Sequence, residues 1–169
     1  LVGSEMCIRD SYQAHEGAVY LHQGKRYVVD VLDEENHVVL ATAAEPDFYT
    51  QARDVTSVKV LDVTHEEKWG EIGVYYGDLL VTTQVVSFQR KALISNEILS
   101  EEPLELEPRE LFTKGVWFTI PEPRLHSAGV QAGAIPGSLH AAEHAAIGLL
   151  PLLVTSDRWD IGGVSTAMH

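Results

Sequence analysis

The hydrophobic positions of this chain follow two different periods, one before and one after about residue 137. From residue 17 to residue 120, short apolar runs alternate with polar positions and are separated by turn residues. Alternation with a period of two predicts half-buried antiparallel strands. From residue 139 to about residue 150, small and straight-chained residues predict a helix. Strands followed by a helix predict an α+β fold.

The first strands are predicted to form a small antiparallel barrel or meander, and the next ones a long hairpin. The barrel or meander is predicted from strands at residues 18–21, 27–32, 38–41 and 58–63. In the hairpin, Gly77-Asp78 is predicted to separate a strand at 74–76 from one at 79–88.

Two further segments complete the strand-rich part. Residues 95–108 are acidic and are predicted to form a solvated loop or an edge strand. Residues 111–120 return to strand character, and Pro121 ends that strand because proline cannot continue a central ladder. A short helix is predicted near residues 125–131.

The predicted helix at residues 139–150 has one polar face. Pro136 and Gly137 break the chain before it, and Ser138 is a good N-cap residue. The spacing i, i+3, i+4 and i+7 places four side chains on one face, namely His140, Glu143, His144 and Ile147. Alanine and glycine cover most of the remaining surface, which permits close packing on all sides. We therefore expect a buried, Ala-rich helix.

The polar face admits two interpretations. The run H-A-A-E-H matches the H-x-x-E-H arrangement of one zinc-peptidase class, in which two histidines bind the metal and the glutamate activates water. In the second interpretation, His140, Glu143 and His144 form a structural polar cluster with Asp157 and Asp160, since buried polar groups need partners. We favour the structural cluster because the metal site lacks an evident third ligand.

Several runs of the chain together resemble one protein family. They are D-R-W-D-I-G-G-V-S at 157–165, L-H-A-A-E-H-A-A-I-G-L-L-P-L at 139–152, G-A-V-Y-L-H-Q-G-K-R-Y at 17–27, D-F-Y-T-Q at 47–51, the run at 84–93 and V-W-F-T-I-P at 116–121. The combined pattern covers roughly residues 15–169. It resembles the C-terminal region of superfamily 2 DEAD/DEAH-box DNA helicases related to mitomycin repair factor A.

The resemblance implies a fragment of an ATP-dependent DNA helicase that acts in DNA repair. In that family, motor lobes outside this region hold ATP and Mg²⁺, and no G-x-x-x-x-G-K-[ST] phosphate loop occurs in this chain. The chain alone is therefore expected to catalyse nothing, to brace the motor lobes and to help guide single-stranded DNA. The alternative function is a zinc-dependent hydrolase that uses His140, Glu143 and His144.

The family also has a zinc-binding domain, and its zinc is usually held by cysteines. The first of these cysteines often lies just before the D-R-x-D-I-G-G run, where this chain has Ser156. No cofactor is therefore expected in this chain, whereas ATP, Mg²⁺ and zinc are expected for the parent protein.

Candidate contacts with nucleic acid or with a motor lobe are Arg158 and Trp159 and the pair Arg90 and Lys91. The structural alternatives are an ion-pair network of Arg158 with its flanking aspartates and a charged strand end in water for Arg90 and Lys91. A net charge of −13 argues that this piece is not the main grip on DNA, since phosphate neutralisation by Lys and Arg supplies most non-specific affinity. DNA and the parent's own motor lobes are the expected partners.

The termini and the composition set the remaining expectations. Residues 1–11 show no period and resemble a translated adapter remnant, so residues 1–14 are treated as a foreign or disordered tail. Residues 15–121 are predicted to be a β-rich accessory domain and 122–169 the truncated start of a helical C-terminal domain. The single cysteine, Cys7, lies in the tail, which fits a reducing compartment, and we expect a cytoplasmic protein. No apolar run approaches 18 residues, so no membrane partner is expected.

Overall fold

Strands precede helices, and the fold is α+β and rich in β-structure, as the sequence predicts. The structure is a computed structural model that describes residues 12–36, 38–157 and 160–167. Within those residues, seven β-strands form two sheets, and two α-helices follow them. Of the tail predicted at residues 1–14, residues 1–11, including Cys7, lie outside the described residues, whereas Ala14 is described and buried.

The first sheet is a three-stranded meander. Strands β1 (Val19–His22), β2 (Lys25–Asp33) and β3 (Val38–Ala43) pair antiparallel in the order β1-β2-β3. Between β1 and β2, Gln23 and Gly24 have φ values of 49° and 77°. Two positive φ angles are typical of the type I′ turn, whose twist matches that of the flanking strands. The meander is therefore present, and the three strands form an open sheet rather than the alternative barrel.

The second sheet is built on a long hairpin. Strand β4 (Phe48–Trp69) leads through a turn with Gly70 at φ 67° into β5 (Ile72–Ala92), and β6 (Ile98–Pro103) and β7 (Arg109–Thr119) also pair with β5. The predicted edge strand in the acidic segment is β6. Two predictions are wrong: residues 58–63 belong to β4 rather than to the first sheet, and Gly77-Asp78 does not interrupt β5.

Gly77 lies inside β5 because of a close backbone approach and not because of a turn. A Cβ atom built on Gly77 would collide with the carbonyl oxygen of Asp62 on β4. Glycine in a strand interior often marks such an approach. The same residue type therefore imitates a turn signal in the sequence, which explains the wrong prediction of a break.

The chain divides into two compact units, Leu1–Thr56 with Thr82–Glu110 and Ser57–Val81 with Leu111–His169. The first unit contains the buried hydrophobic residues, which are Ala14, Ala18, Val29, Val85 and Phe88, and the fully buried His15. In the described part of the second unit, only Gly73 and Gly77 are buried. Because glycine has no side chain, no side chain is buried there. The predicted division into residues 15–121 and 122–169 stays a prediction.

Both predicted helices are present, and each begins earlier than predicted. Helix α1 (Glu122–Ser127) and a 3₁₀ turn (Ala132–Ala134) precede α2 (Ile135–Leu149). Helix α2 includes Pro136 and Gly137 and has Ala134 as its N-cap residue, so Ser138 is not the N-cap. Proline is well tolerated in the first turn of a helix because its missing N–H would have had no partner there.

The prediction that this Ala-rich helix is buried is wrong. Helix α2 contains no buried residue, and only Ile135, Ser138, Leu139, Glu143 and Ile147 are half-buried. Small side chains allow close packing, but nothing in the described chain covers the alanine positions of the helix. Among the described residues, no helix has the length and hydropathy that a membrane span requires.

Replacing Gly77 by alanine should destabilise the protein. The added Cβ meets backbone rather than a movable side chain, and overpacking of this kind typically costs about 1–3 kcal/mol. Gly137→Ala is the matched control, because a Cβ at that helix position meets no atom within 4 Å and alanine favours the helix. Urea unfolding measures both. Equal stability of Gly77→Ala and the wild type would contradict the close approach.

Buried His15 should make stability depend on pH. Its ring lies 4.5 Å from that of Phe88, and burial lowers its pKa from 6.5, against the opposing effect of the hydrogen bond with the Glu16 carbonyl. Below about pH 6.5 the unfolded chain therefore binds more protons than the folded one, so the free energy of unfolding falls as the pH decreases.

His15→Phe isolates this effect because it retains a ring beside Phe88 and cannot be protonated. Urea unfolding at about pH 7.5 and about pH 5.5 should show a larger loss of stability for the wild type than for the variant. The same loss in both proteins would show that His15 is not responsible.

Candidate functional site

Helix α2 brings together the three polar side chains that the sequence places on one face. His140 Nδ1 lies 3.3 Å from Glu143 Oε2, and the rings of His140 and His144 meet edge to face with their centroids 4.4 Å apart. The side chain of His140 is 62% exposed and that of Glu143 only 15% exposed. Glu143 is therefore the member of the cluster that turns towards the protein.

The segment after the helix returns to Glu143. A Cβ atom on Gly163 would lie 2.8 Å from Ile147 Cδ1 and 3.0 Å from Glu143 Cγ, so the backbone at Gly163 rests directly on the helix. At the neighbouring Gly162, a Cβ would meet no atom within 4 Å. Only the second glycine of the I-G-G run is required by packing.

Asp157 and Asp160 form part of the turn between the helix and Gly163. The Asp160 N–H donates to the Asp157 carbonyl oxygen at 3.1 Å, and both residues are exposed. Their membership of the polar cluster stays a prediction. Arg158 and Trp159, predicted to contact nucleic acid or a motor lobe, lie outside the described residues, and so does the ion-pair network predicted for Arg158.

The residues described do not fit a zinc ion. A zinc site in a protein has three or four protein ligands. No three His, Cys, Asp or Glu side chains converge anywhere in residues 12–36, 38–157 and 160–167. Ser156, at the place where the helicase family often has a cysteine, has a half-buried side chain with a hydroxyl, which is not among the usual zinc ligands. The zinc-hydrolase alternative therefore has no support.

Arg90, at the end of β5, has partners within the chain. Its guanidinium pairs with Glu102 of β6 at 3.2 Å, and it lies over the rings of Phe48 and Phe88, 5.3 and 5.7 Å from their centroids. Such an arrangement holds the guanidinium by charge and by the ring faces together. A contact of Arg90 with nucleic acid stays a prediction, but its side chain is not simply a charged strand end in water.

Lys91 is also engaged within the chain. Its ammonium group donates a hydrogen bond to Gln51 Oε1 of β4 at 2.6 Å. The sequence gives no indication of this partner because the two residues are distant along the chain. Its role in binding nucleic acid likewise stays a prediction.

One face of the β5–β7 pair is covered by side chains of the same two strands. The rings of Tyr75 and Trp117 stack with centroids 5.6 Å apart and an interplanar angle of 15°. A Cβ on Gly73 would meet the Tyr75 ring, and one on Gly115 would meet the Leu79 side chain. Large side chains therefore lie over glycines on this face, and Tyr75, Leu79 and Trp117 are all half-buried.

The opposite face, which sequence reasoning missed, is open. Because side chains alternate along a strand, it carries Tyr76 and Asp78 of β5 and Phe112, Lys114, Val116 and Phe118 of β7; we call it the Lys114 face. The ammonium of Lys114 donates to Asp78 Oδ1 at 2.5 Å and lies 6.0 Å from the Tyr76 ring centroid. The alternation at residues 112–118 was the signal that could have found this face.

The charge of Lys114 is compensated locally. Its pKa is raised, first by the hydrogen bond to Asp78 and then by the negative charges of Asp78 and Asp62. Around this ion pair the surface is apolar and exposed, with Phe112 at 70% and Val116 at 68% exposure. The Lys114 face is thus an apolar surface around a neutralised cation.

Comparison with known sequences relates the chain to helicases. No family model matches it. It is 27% identical over 154 residues to the ATP-dependent helicase hrq1 of Schizosaccharomyces pombe, which covers 90% of this chain and 14% of that protein. It is 24% identical over 153 residues to HRQ1 of Saccharomyces cerevisiae, covering 88% and 14%. The ATP-dependent helicase YprA of Bacillus subtilis is 27% identical over 106 residues, covering 63% and 14%.

Comparison with solved structures shows the same fold in a helicase. The crystal structure of the DUF1998 helicase MrfA bound to DNA matches with a TM-score of 0.65 and 22% identity, over 89% of this chain and 20% of that one. A further MrfA crystal structure matches with a TM-score of 0.51 and 20% identity, over 93% and 21%. The chain spans only 14% of the curated relatives it matches. The predicted resemblance is confirmed: this chain is similar in sequence to part of ATP-dependent helicases and in fold to part of the DUF1998 helicase MrfA.

Proposed function

We propose that this chain is an accessory, C-terminal part of an ATP-dependent DNA helicase that acts in DNA repair, where it braces the motor lobes and helps guide single-stranded DNA. One observation carries the proposal: the similarity to ATP-dependent helicases extends over 90% of this chain but over only 14% of the relative. The chain itself contains no phosphate loop. ATP hydrolysis therefore belongs to the rest of the parent protein.

The cofactors and the substrate of the parent are part of the same proposal. The structure of MrfA bound to DNA supports DNA as the substrate of the complete protein. ATP and Mg²⁺ belong to the motor lobes in this proposal. Zinc, which the family resemblance implies for the parent, is assigned outside this chain because the described residues here do not fit it.

A bracing role is supported by the packing of the second unit. That unit buries no side chain among its described residues, and helix α2 leaves its alanine positions open. Gly163 nevertheless holds the following segment closely against Glu143 and Ile147. The helix and this segment thus form a local scaffold whose outer surface is free to receive another element.

The charges support guidance of a DNA strand rather than a strong grip on it. The net charge is −13, and Arg90 and Lys91 both have partners within the chain. Tight binding to DNA requires clustered cations that can neutralise phosphates. We assign the main grip on DNA to the motor lobes, and we keep Arg158 and Trp159 as the proposed strand or lobe contacts of this chain.

Gly163→Ala should loosen the scaffold, and Gly162→Ala should not. The first change requires Ile147 or Glu143 to move, at a cost of about 1–3 kcal/mol for overpacking, whereas the second adds a methyl group in open space. Urea unfolding followed by circular dichroism measures the difference. If the two variants are equally stable, the contact of Gly163 with the helix does not support the scaffold.

Deletion of the segment that corresponds to this chain from the parent helicase tests the function itself. We expect DNA unwinding to fall roughly 5- to 150-fold, the range typical of a coupling free energy between sites, while ATP hydrolysis stimulated by single-stranded DNA persists. The isolated chain should hydrolyse no ATP. Turnover by the isolated chain, or undiminished unwinding after the deletion, would refute the proposed function.

A further inference from the structure

The Lys114 face leaves four large apolar side chains in water. Phe112, Val116, Phe118 and Tyr76 are all exposed, and the first two retain more than two thirds of their surface, at 70% and 68%. Monomeric proteins rarely expose contiguous apolar patches of more than a few hundred Å² unless the patch is an interaction site. Single exposed apolar residues need no explanation, but four on one face of one strand pair do.

Apolar side chains of β4 in the same sheet are exposed as well, but the other face of the β5–β7 pair is covered. There, Tyr75 lies over Gly73, Leu79 over Gly115, and Tyr75 stacks on Trp117. The chain thus covers one face with its own side chains and leaves the other to be covered from outside. The difference lies in the sequence, because the glycines occur only on the self-covered face.

The charge of the Lys114 face selects a protein partner over a nucleic acid. The one cation on the face is hydrogen-bonded to Asp78, and Asp62 is close enough to raise its pKa further. A surface that binds phosphates must offer uncompensated cations, since the release of counterions supplies the affinity. An apolar surface around a neutralised pair instead resembles the core of a protein–protein interface, which is depleted of charge and enriched in aromatic residues.

The length of the relatives bears on which protein would cover the face. The match to the relative covers 90% of this chain, which contains the Lys114 face. It covers only 14% of the relative, so most of that polypeptide lies outside the matched part. The rest of such a polypeptide is tethered to the face, and a tethered surface acts at an effective concentration of about millimolar for short flexible linkers. A surface of the same polypeptide therefore has an advantage over any free molecule.

We propose that the Lys114 face is the surface through which this part of the helicase docks on the motor-bearing portion of the same polypeptide, against an apolar and uncharged protein surface. The inference rests on the proposed accessory function and names the residues that carry it out. Phe112 and Val116 are the central anchors, because they are the most exposed apolar side chains of the face.

Thiol accessibility in the full-length helicase tests this docking. Val116→Cys places a small reactive group in the centre of the face, and Leu21→Cys on β1 is the matched control, since both positions are 68% exposed in this chain. In the DNA-free helicase, maleimide labelling followed peptide by peptide with mass spectrometry should be at least about tenfold slower at position 116 than at position 21, because only position 116 would need a local opening.

Three outcomes would overturn the inference. Equal labelling rates at both positions would mean that nothing covers the face. Protection of position 116 that appears only when DNA is added would assign the face to the nucleic acid. Protection that increases with protein concentration, together with dimerisation in analytical ultracentrifugation, would assign it to a second copy of the protein.

A functional measurement separates this inference from the proposed function. Phe112→Glu with Val116→Glu in the full-length helicase should lower unwinding about as much as deletion of the whole segment, whereas Leu21→Glu with Ile94→Glu adds the same charge at exposed positions outside the face and should not. If the deletion lowers unwinding and neither double variant does, the docking surface is wrong and the accessory function stands. If the deletion has no effect, the accessory function fails as well.

Discussion

Backbone pairing along β5 is the interaction on which the larger sheet depends. The other three strands of that sheet, β4, β6 and β7, all form their backbone hydrogen bonds with β5, which is 21 residues long. Near one end, β5 supplies the buried Val85 and Phe88. Near the other, it carries Gly77, where the backbone of β4 approaches too closely for a side chain. One strand therefore combines residues of the hydrophobic core with a close approach of two backbones.

That asymmetry explains why surfaces rather than a cleft dominate the functional interpretation. A catalytic site needs polar groups that converge in a sheltered place. In the described residues, the polar side chains of the predicted sites are instead engaged in local pairs, such as His140 with Glu143 and Arg90 with Glu102. Uncovered apolar surface is found in several places, among them helix α2 and the Lys114 face. Unsatisfied apolar surface is the signature of a part that functions when something packs against it.

Local sequence patterns made most strands and helices predictable, whereas features that depend on contacts between distant residues could not be predicted. The meander, the edge strand β6 and the existence of helix α2 follow from alternation, turn residues and small-residue runs. The break at Gly77 was wrongly predicted because a glycine required by the distant Asp62 looks like a turn glycine. The start of α2 was misplaced because Pro136 breaks a helix in its interior and favours one in its first turn. Burial of α2 could not be predicted, since burial depends on a partner and not on the helix.

The candidate site was predictable to the same degree. His140, Glu143 and His144 could be placed on one face because a helix has a fixed period, and the contact of His140 with each of the other two follows from that placement. The partner of Lys91, by contrast, is Gln51, forty positions earlier in the chain. No spacing rule connects two strands before their register is known. The Lys114 face was missed because its open side is evident only when the opposite side is seen to cover itself.

Two electrostatic effects bear on DNA contact in the proposed function, namely the strength of exposed ion pairs and the net negative charge of the chain. Exposed ion pairs such as that of Arg26 with Glu45 contribute only about 0–1 kcal/mol each, so a phosphate could displace such a carboxylate at little cost. The excess of acidic residues, 25 against 12 basic ones, is the larger obstacle, because it repels a polyanion wherever the two approach within a Debye length of roughly 8–10 Å. In the proposed function, affinity for DNA would then come from the motor portion, which would bring the strand into contact with this chain. Under that constraint, the chain can influence the path of a strand through its position in the helicase, and correct docking matters more to its function than any phosphate contact of its own.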